Sequence, residues 1–293
     1  MLIISTLSTL CLLAVLDPAY SIINGERVQW NRHGYLVKVF SREANSNLVT
    51  SCSGSVISAS LVLTSPQCLL NSTTDERFSE VAVSVPTFRR PRTLRAEVAN
   101  ITDSWALLKI PTLSAKDLCP PNPAPKRVAQ LNVRLSLLRS SLINIDVSAL
   151  SKRKCWLTAF TTTTNASAFV KQDDVRMIEL DTLRPSEDST SEALRYKSAV
   201  VGNRSACWDD AGAAVMCHLN EFGDVQVGIF QTLTVDPREV ADNETLHSIR
   251  ECARGQSMNF AMIVNDQHLV SAIEKHDLPA FAEVYRRCRF GDD

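Results

Sequence analysis

Along most of this chain apolar and polar positions alternate over short stretches, and a period of two marks strands with one face buried. Tyr35–Phe40, Ser55–Ile57, Leu61–Thr64 and Val81–Val85 read as strands, and Trp105–Ile110, Val175–Leu180 and Val225–Phe230 continue the series. Many short strands joined by polar turns suggest barrels or sandwiches. Cys119-Pro120-Pro121-Asn122-Pro123-Ala124-Pro125 is a rigid connection and the best boundary between two halves. The pattern changes only at the end. Asp266–Lys275 has helical spacing, with Leu269, Val270 and Ile273 on one face, and Leu278–Phe290 extends it after Pro279. Thr161–Thr164 reads as a loop tip, and no internal repeat is present.

The first residues carry an address rather than a fold. Leu2–Leu16 is an apolar run ended by Asp17-Pro18, and Ala19-Tyr20-Ser21 places small residues where signal peptidase reads them. The run is too short to cross a hydrocarbon core, although no Lys or Arg precedes it as is usual for a leader. No later segment is long and apolar enough to span a membrane. Residues 1–21 are therefore expected to be a signal peptide.

Composition agrees with export. Nine cysteines include Cys11 in the leader, and the remaining even number suits disulfides in an oxidising compartment. Neither Cys-x-x-Cys nor His-Glu-x-x-His occurs, so no metal site is expected. Sequons begin at Asn71, Asn100, Asn165, Asn203 and Asn243, acceptors for glycans in an exported chain. The net charge of −1 argues against nucleic acid as a partner.

Several segments resemble chymotrypsin-like serine proteases, in order and at matching spacing. Ile22-Ile23-Asn24-Gly25 resembles the mature N-terminus Ile-Val-Gly-Gly, and Gly34-Tyr35-Leu36-Val37 the family's Pro-Trp-Gln-Val. Cys52-Ser53-Gly54-Ser55-Val56-Ile57 is similar to Cys-Gly-Gly-Ser-Leu-Ile, and Leu61–Cys68 to Val-Leu-Thr-Ala-Ala-His-Cys. Asp103–Ile110 resembles Asn-Asp-Ile-Ala-Leu-Leu-Lys-Leu, and Cys207–Cys217 resembles Cys-Gln-Gly-Asp-Ser-Gly-Gly-Pro-Val-Val-Cys. The resemblance implies an all-β fold of two six-stranded antiparallel Greek-key barrels with a C-terminal helix. The barrels would span 22–118 and 127–265, with 119–126 as the connection and 266–293 as the helix and extension. It also implies the disulfides Cys52–Cys68, Cys155–Cys217 and Cys207–Cys252, which leaves Cys119 for Cys288. Without the resemblance the cysteines permit many other pairings.

The family's chemistry needs a nucleophilic Ser, a His that takes its proton and an Asp that orients the His. Here the His position holds Gln67, the Asp position Ser104 and the nucleophile position Ala211. Gln67 is no base at neutral pH, and Ala211 has no attacking oxygen. Asp209 stands at an oxyanion position, where a carboxylate repels developing negative charge. Losing the triad costs about a million-fold in turnover. Asp103 is no substitute for Ser104, since strand neighbours face opposite sides. His33, His218, His247, His268 and His276 read as surface or structural residues.

Around the cleft, Ser205 occupies the pocket base that is Asp in trypsins. Phe230-Gln231-Thr232 stands where the family has Ser-Trp-Gly, ahead of a long insertion carrying the Asn243 sequon. Phe88-Arg89-Arg90-Pro91-Arg92 replaces acidic calcium ligands with basic residues, and reads as an exposed hairpin in preference to an anion-binding exosite.

In the family the new α-amino group formed by cleavage pairs with the Asp before the nucleophile. Ile22 and Asp210 fill those positions, yet Ser21 is no tryptic site and no propeptide intervenes. Release directly at Ile22 and a constitutive active-like conformation are therefore expected. The expected function is that of a secreted, non-catalytic serine protease homolog without cofactor. It would act as cofactor, decoy or regulator in an extracellular fluid, such as an immune cascade or a reproductive secretion. Its partner would be an extracellular protein, such as an active serine protease or its substrate, with no membrane partner. An unconventional hydrolase and a recognition protein for microbial or glycan surfaces are the alternatives.

Overall fold

A computed structural model describes residues 22–29, 32–43, 49–71, 74, 76–85, 92–113, 145–160, 175–187, 189, 194–220, 223–235, 252 and 254–290, with side chains to 282. A short strand, β1 (Glu26–Val28), leads into β2 (Leu36–Arg42), β3 (Thr50–Val56), β4 (Leu61–Thr64), β5 (Glu80–Val85), β6 (Arg92–Ile101) and β7 (Ala106–Lys109). The six strands after β1 close antiparallel into a barrel in the order β2-β3-β4-β7-β6-β5. Alternation explains which way each strand faces. Val37 and Val39 of β2 point inward and pack with Cys52, Val62, Val83 and Leu108, while Lys38 points outward yet is buried.

The second half is a sheet built from β8 (Cys155–Phe160), β9 (Val175–Leu180), β10 (Arg184–Pro185), β11 (Arg195–Ala199), β12 (Ala214–Leu219), β13 (Gly223–Val235) and β14 (Gly255–Met262). Its eight strands run β1-β9-β8-β12-β13-β14-β11-β10. It differs from a closed six-stranded barrel because β1 adds to one edge, against β9, and the two-residue β10 to the other. The core of this half gathers Leu157, Ile178, Val215, Val227 and Phe260 around two disulfides.

The helix α1 (Gln267–Phe290) crosses between the halves. Leu269, Val270, Ile273 and Phe281 pack with Leu61, Leu63 and Trp105 from the first half, with Ile229 of the sheet and with Ile263 just after β14. It bends at Asp277, whose φ of −165° and ψ of 50° are not helical. Pro279, two residues on, excludes a helical hydrogen bond at that point. The Ser60 hydroxyl donates to the Asp277 carboxylate, and Lys109 Nζ donates to the His276 carbonyl at 3.3 Å.

Cys52 is joined to Cys68, Cys155 to Cys217 and Cys207 to Cys252. Cys119, the connection 119–126, the loop Phe88–Pro91 and the Cys288 side chain lie outside the described residues. Among the described residues no helix is long and apolar enough to cross a membrane.

Candidate functional site

Gln67, Ser104 and Ala211 reach the junction of barrel and sheet from three turns. Gln67 lies in a 3-10 turn, Pro66–Leu69, and is exposed. Ser104 is buried in the bend before β7, and its neighbour Asp103 is exposed. The pair thus sits on a bend rather than on a strand. Ala211 follows the 3-10 turn Trp208–Asp210 and packs its methyl into the apolar cluster of the barrel.

The bridging group is Gln231 on β13. Its Oε1 accepts from Ser65 Oγ at 2.9 Å, and its Nε2 donates to the Ser104 carbonyl at 2.8 Å. One buried amide therefore ties the approach to Gln67 to the bend carrying Ser104. The backbone around Ala211 is held as firmly. Ser53 N donates to the Ala211 carbonyl at 2.8 Å, and Gly212 N to the Phe230 carbonyl at 2.9 Å. Gly212 has a φ of 86°, and a Cβ there would stand 2.1 Å from the Ser53 carbonyl oxygen. Only glycine fits that close approach at a positive φ.

The turn itself is closed. The Ala211 N–H donates to the Trp208 carbonyl at 3.1 Å and the Asp210 N–H to the Cys207 carbonyl at 3.0 Å. Stabilising an oxyanion requires such a donor to point at the reacting oxygen. The Ala211 donor points back into its own turn and presents no oxyanion site, although the expected pairing of Ile22 with Asp210 is in place. Asp210 is fully buried, and its Oδ2 accepts from Ile22 N at 2.9 Å and Cys207 N at 2.8 Å. Lys38 reaches the same turn from the barrel, its Nζ donating to the Asp209 carbonyl at 3.4 Å. Burial pushes the Lys38 ammonium below its ordinary range, while the charges of Asp209 and Asp210 pull it back up.

The pocket-base residue is closed as well. Ser205 is fully buried and donates its hydroxyl to the Cys252 carbonyl at 2.5 Å. Of the sequons, Asn203 is exposed with a φ of 57°, Asn71 and Asn100 are half-buried, and Asn165 and Asn243 lie outside the described residues.

The model of the family described as Trypsin matches residues 22–235. The chain belongs to the trypsin family. A solved structure described as HL collagenase is similar to it with a TM-score of 0.55 at 12% identity, covering 87% of this chain and 99% of its own. That likeness shows a shared fold. Compared by sequence with curated proteins, the chain matches none.

Within this trypsin-family fold, sequence reasoning missed two residues of the site. In the sequence Gln231 reads only as part of an altered strand, because its two partners lie far away in the chain. Lys38 reads as an ordinary strand residue, although a Lys inside the apolar run Tyr35–Phe40 is itself a sign of a buried charge.

Proposed function

We propose that this trypsin-family chain is secreted and binds other proteins without cutting them. It would act as a cofactor, decoy or regulator of extracellular proteases. The observation that carries the reading is Ala211, a methyl group at the nucleophile position with its N–H turned inward. Gln67 and Ser104 support it, since neither takes up the proton that acyl transfer must move. Ser205 supports it too, because its hydroxyl is occupied by Cys252. The leader, the disulfides and the sequons favour an extracellular fluid as its place of action.

Two measurements test the reading. The purified protein is expected to turn over no member of a broad peptide library above a mock-purified control, and to leave a fluorophosphonate probe unreacted. Turnover absent from the control would instead establish the alternative of an unconventional hydrolase. Affinity capture from the native fluid is then expected to retain a protease or a protease substrate.

A further inference from the structure

The hairpin ahead of the pocket-base residue passes from surface to core within three residues. Val201 pairs with Arg204, whose N–H donates to the Val201 carbonyl at 3.1 Å, and Gly202 and Asn203 turn the chain between them. Their φ values of 61° and 57° are both positive, as a type I′ turn requires, and glycine and asparagine are the residues that accept such angles. Residues 201–204 are all exposed.

Asn203 is tied to the fold through its main chain. Its carbonyl accepts from Asn24 Nδ2 at 3.0 Å, and no hydrogen bond among the described residues uses its carboxamide. The space around the tip is open: a Cβ on the adjacent Gly202 would meet nothing within 4 Å. Asn100, an acceptor by sequence as well, is placed differently. It is half-buried on β6 opposite the buried Leu107, and its Oδ1 accepts from Ile101 N at 2.9 Å.

Ser205 completes the triplet Asn203-Arg204-Ser205 and lies in the core. It is fully buried, its hydroxyl donates to the Cys252 carbonyl, and its backbone exchanges hydrogen bonds with Ile23 at 2.8 and 3.3 Å. Two residues on, Cys207 is bonded to Cys252. An acceptor triplet is defined by the hydroxyl of its third residue as well as by its amide. In the folded chain a transferring enzyme reaches the amide and not the hydroxyl.

Given the reading above that the chain is exported, on which this rests, we propose that Asn203 carries an N-linked oligosaccharide, attached before Ser205 is buried and afterwards held outward by the turn. In the transfer Asn203 Nδ2 bonds to the anomeric carbon of an oligosaccharide carried on a polyprenyl diphosphate. The bond from that carbon to the diphosphate oxygen breaks, the polyprenyl diphosphate leaves with the electron pair, and one Nδ2 proton passes to solvent. The Asn203 carbonyl is untouched, so the hydrogen bond from Asn24 survives the modification. The fold thereby fixes an order, with the sugar first and the packing of Ser205 against Cys252 second.

To test the site, the full chain is translated with microsomes that supply the transferase and its lipid-linked donor. The products are mapped after peptide-N-glycosidase, which leaves Asp in place of each modified Asn. Asp is expected at position 203 in most translocated copies, and more often there than at position 100. Asn203→Gly and Asn203→Asp, which both tolerate the positive φ, should each lose the mass of one glycan. A translocated chain unmodified at Asn203, or modified there less often than at Asn100, overturns the proposal. A chain that fails to translocate behind its own leader defeats the reading of export instead, and the same chain behind an established leader then decides the site. To test the order, the folded, oxidised, sugar-free protein and its reduced, unfolded form are offered to the same enzyme and donor. The unfolded form should accept sugar at Asn203 and the folded form none, and equal modification of the two overturns the order proposed.

Discussion

His33 is a titratable group kept neutral by its surroundings. It is buried beside Tyr35, Nδ1 lying 3.3 Å from the phenol oxygen, which in turn lies 3.1 Å from Thr158 Oγ1. Burial lowers its pKa from 6.5 to about 4, against the charge of Asp224, which raises it, and with that of Arg32, which lowers it further. The same burial holds the Tyr35 phenol well above its usual range. The unfolded chain therefore takes up a proton at His33 before the folded chain does. Stability from this group is complete above pH 6.5, falls as the pH drops toward 4, and amounts to at most about 3 kcal/mol. His33→Gln cannot titrate, so its melting temperature should fall less steeply over that interval. Parallel curves for the two proteins in a pH series of thermal melts would refute the assignment.

At the level of elements, helix α1 is anchored by one carboxylate. Asp266 Oδ1 accepts from His268 N at 2.8 Å and Leu269 N at 3.1 Å, which caps the helix. Its Oδ2 accepts from Trp105 Nε1 at 2.7 Å, which binds the helix start to the barrel just ahead of β7. Asp266→Ala should remove the cap, at about 1 kcal/mol. It also leaves the indole N–H of a buried tryptophan unpaired, at roughly 1–3 kcal/mol more. Asp266→Asn keeps an acceptor and should cost distinctly less. Urea unfolding of the two variants measures the difference, and equal losses would show that the cap, which the single amide oxygen can still accept, contributes nothing.

At the scale of the whole molecule, the site depends on both halves meeting. Restoring the chemistry therefore takes more than restoring side chains. A variant with Gln67→His, Ser104→Asp and Ala211→Ser would regain the triad types, yet the residue 211 N–H would still point at the Trp208 carbonyl. Loss of one oxyanion donor costs about 10²–10³ in turnover. The triple variant is expected to lie at least that far below an intact enzyme in kcat on a peptide ester, and Ala211→Ser alone to remain inactive for want of a base. A triple variant as fast as an active family member would show that the closed turn opens at little cost.

The sequence by itself determined the family, the order of its segments and the residue types at the reacting positions, because those lie in short local motifs around cysteines and glycines. It also placed short runs rich in β-branched and aliphatic residues: Leu61–Thr64 is β4 to the residue, and Val81–Val85 lies within β5. It did not reveal β12, whose Ala214–Leu219 mixes Ala, Met, Cys and His and so carries little strand preference of its own. Nor did it reveal the mostly exposed and half-buried β6. The tertiary structure alone decided the direction of the Ala211 N–H, which is a backbone rotation that no side chain encodes. It alone joined Gln231 to Ser65 and Ser104, and Lys38 to the Asp209 carbonyl, across separations of 166, 127 and 171 residues. Such pairs carry no local pattern, since a buried polar group is satisfied by whatever the fold brings to it.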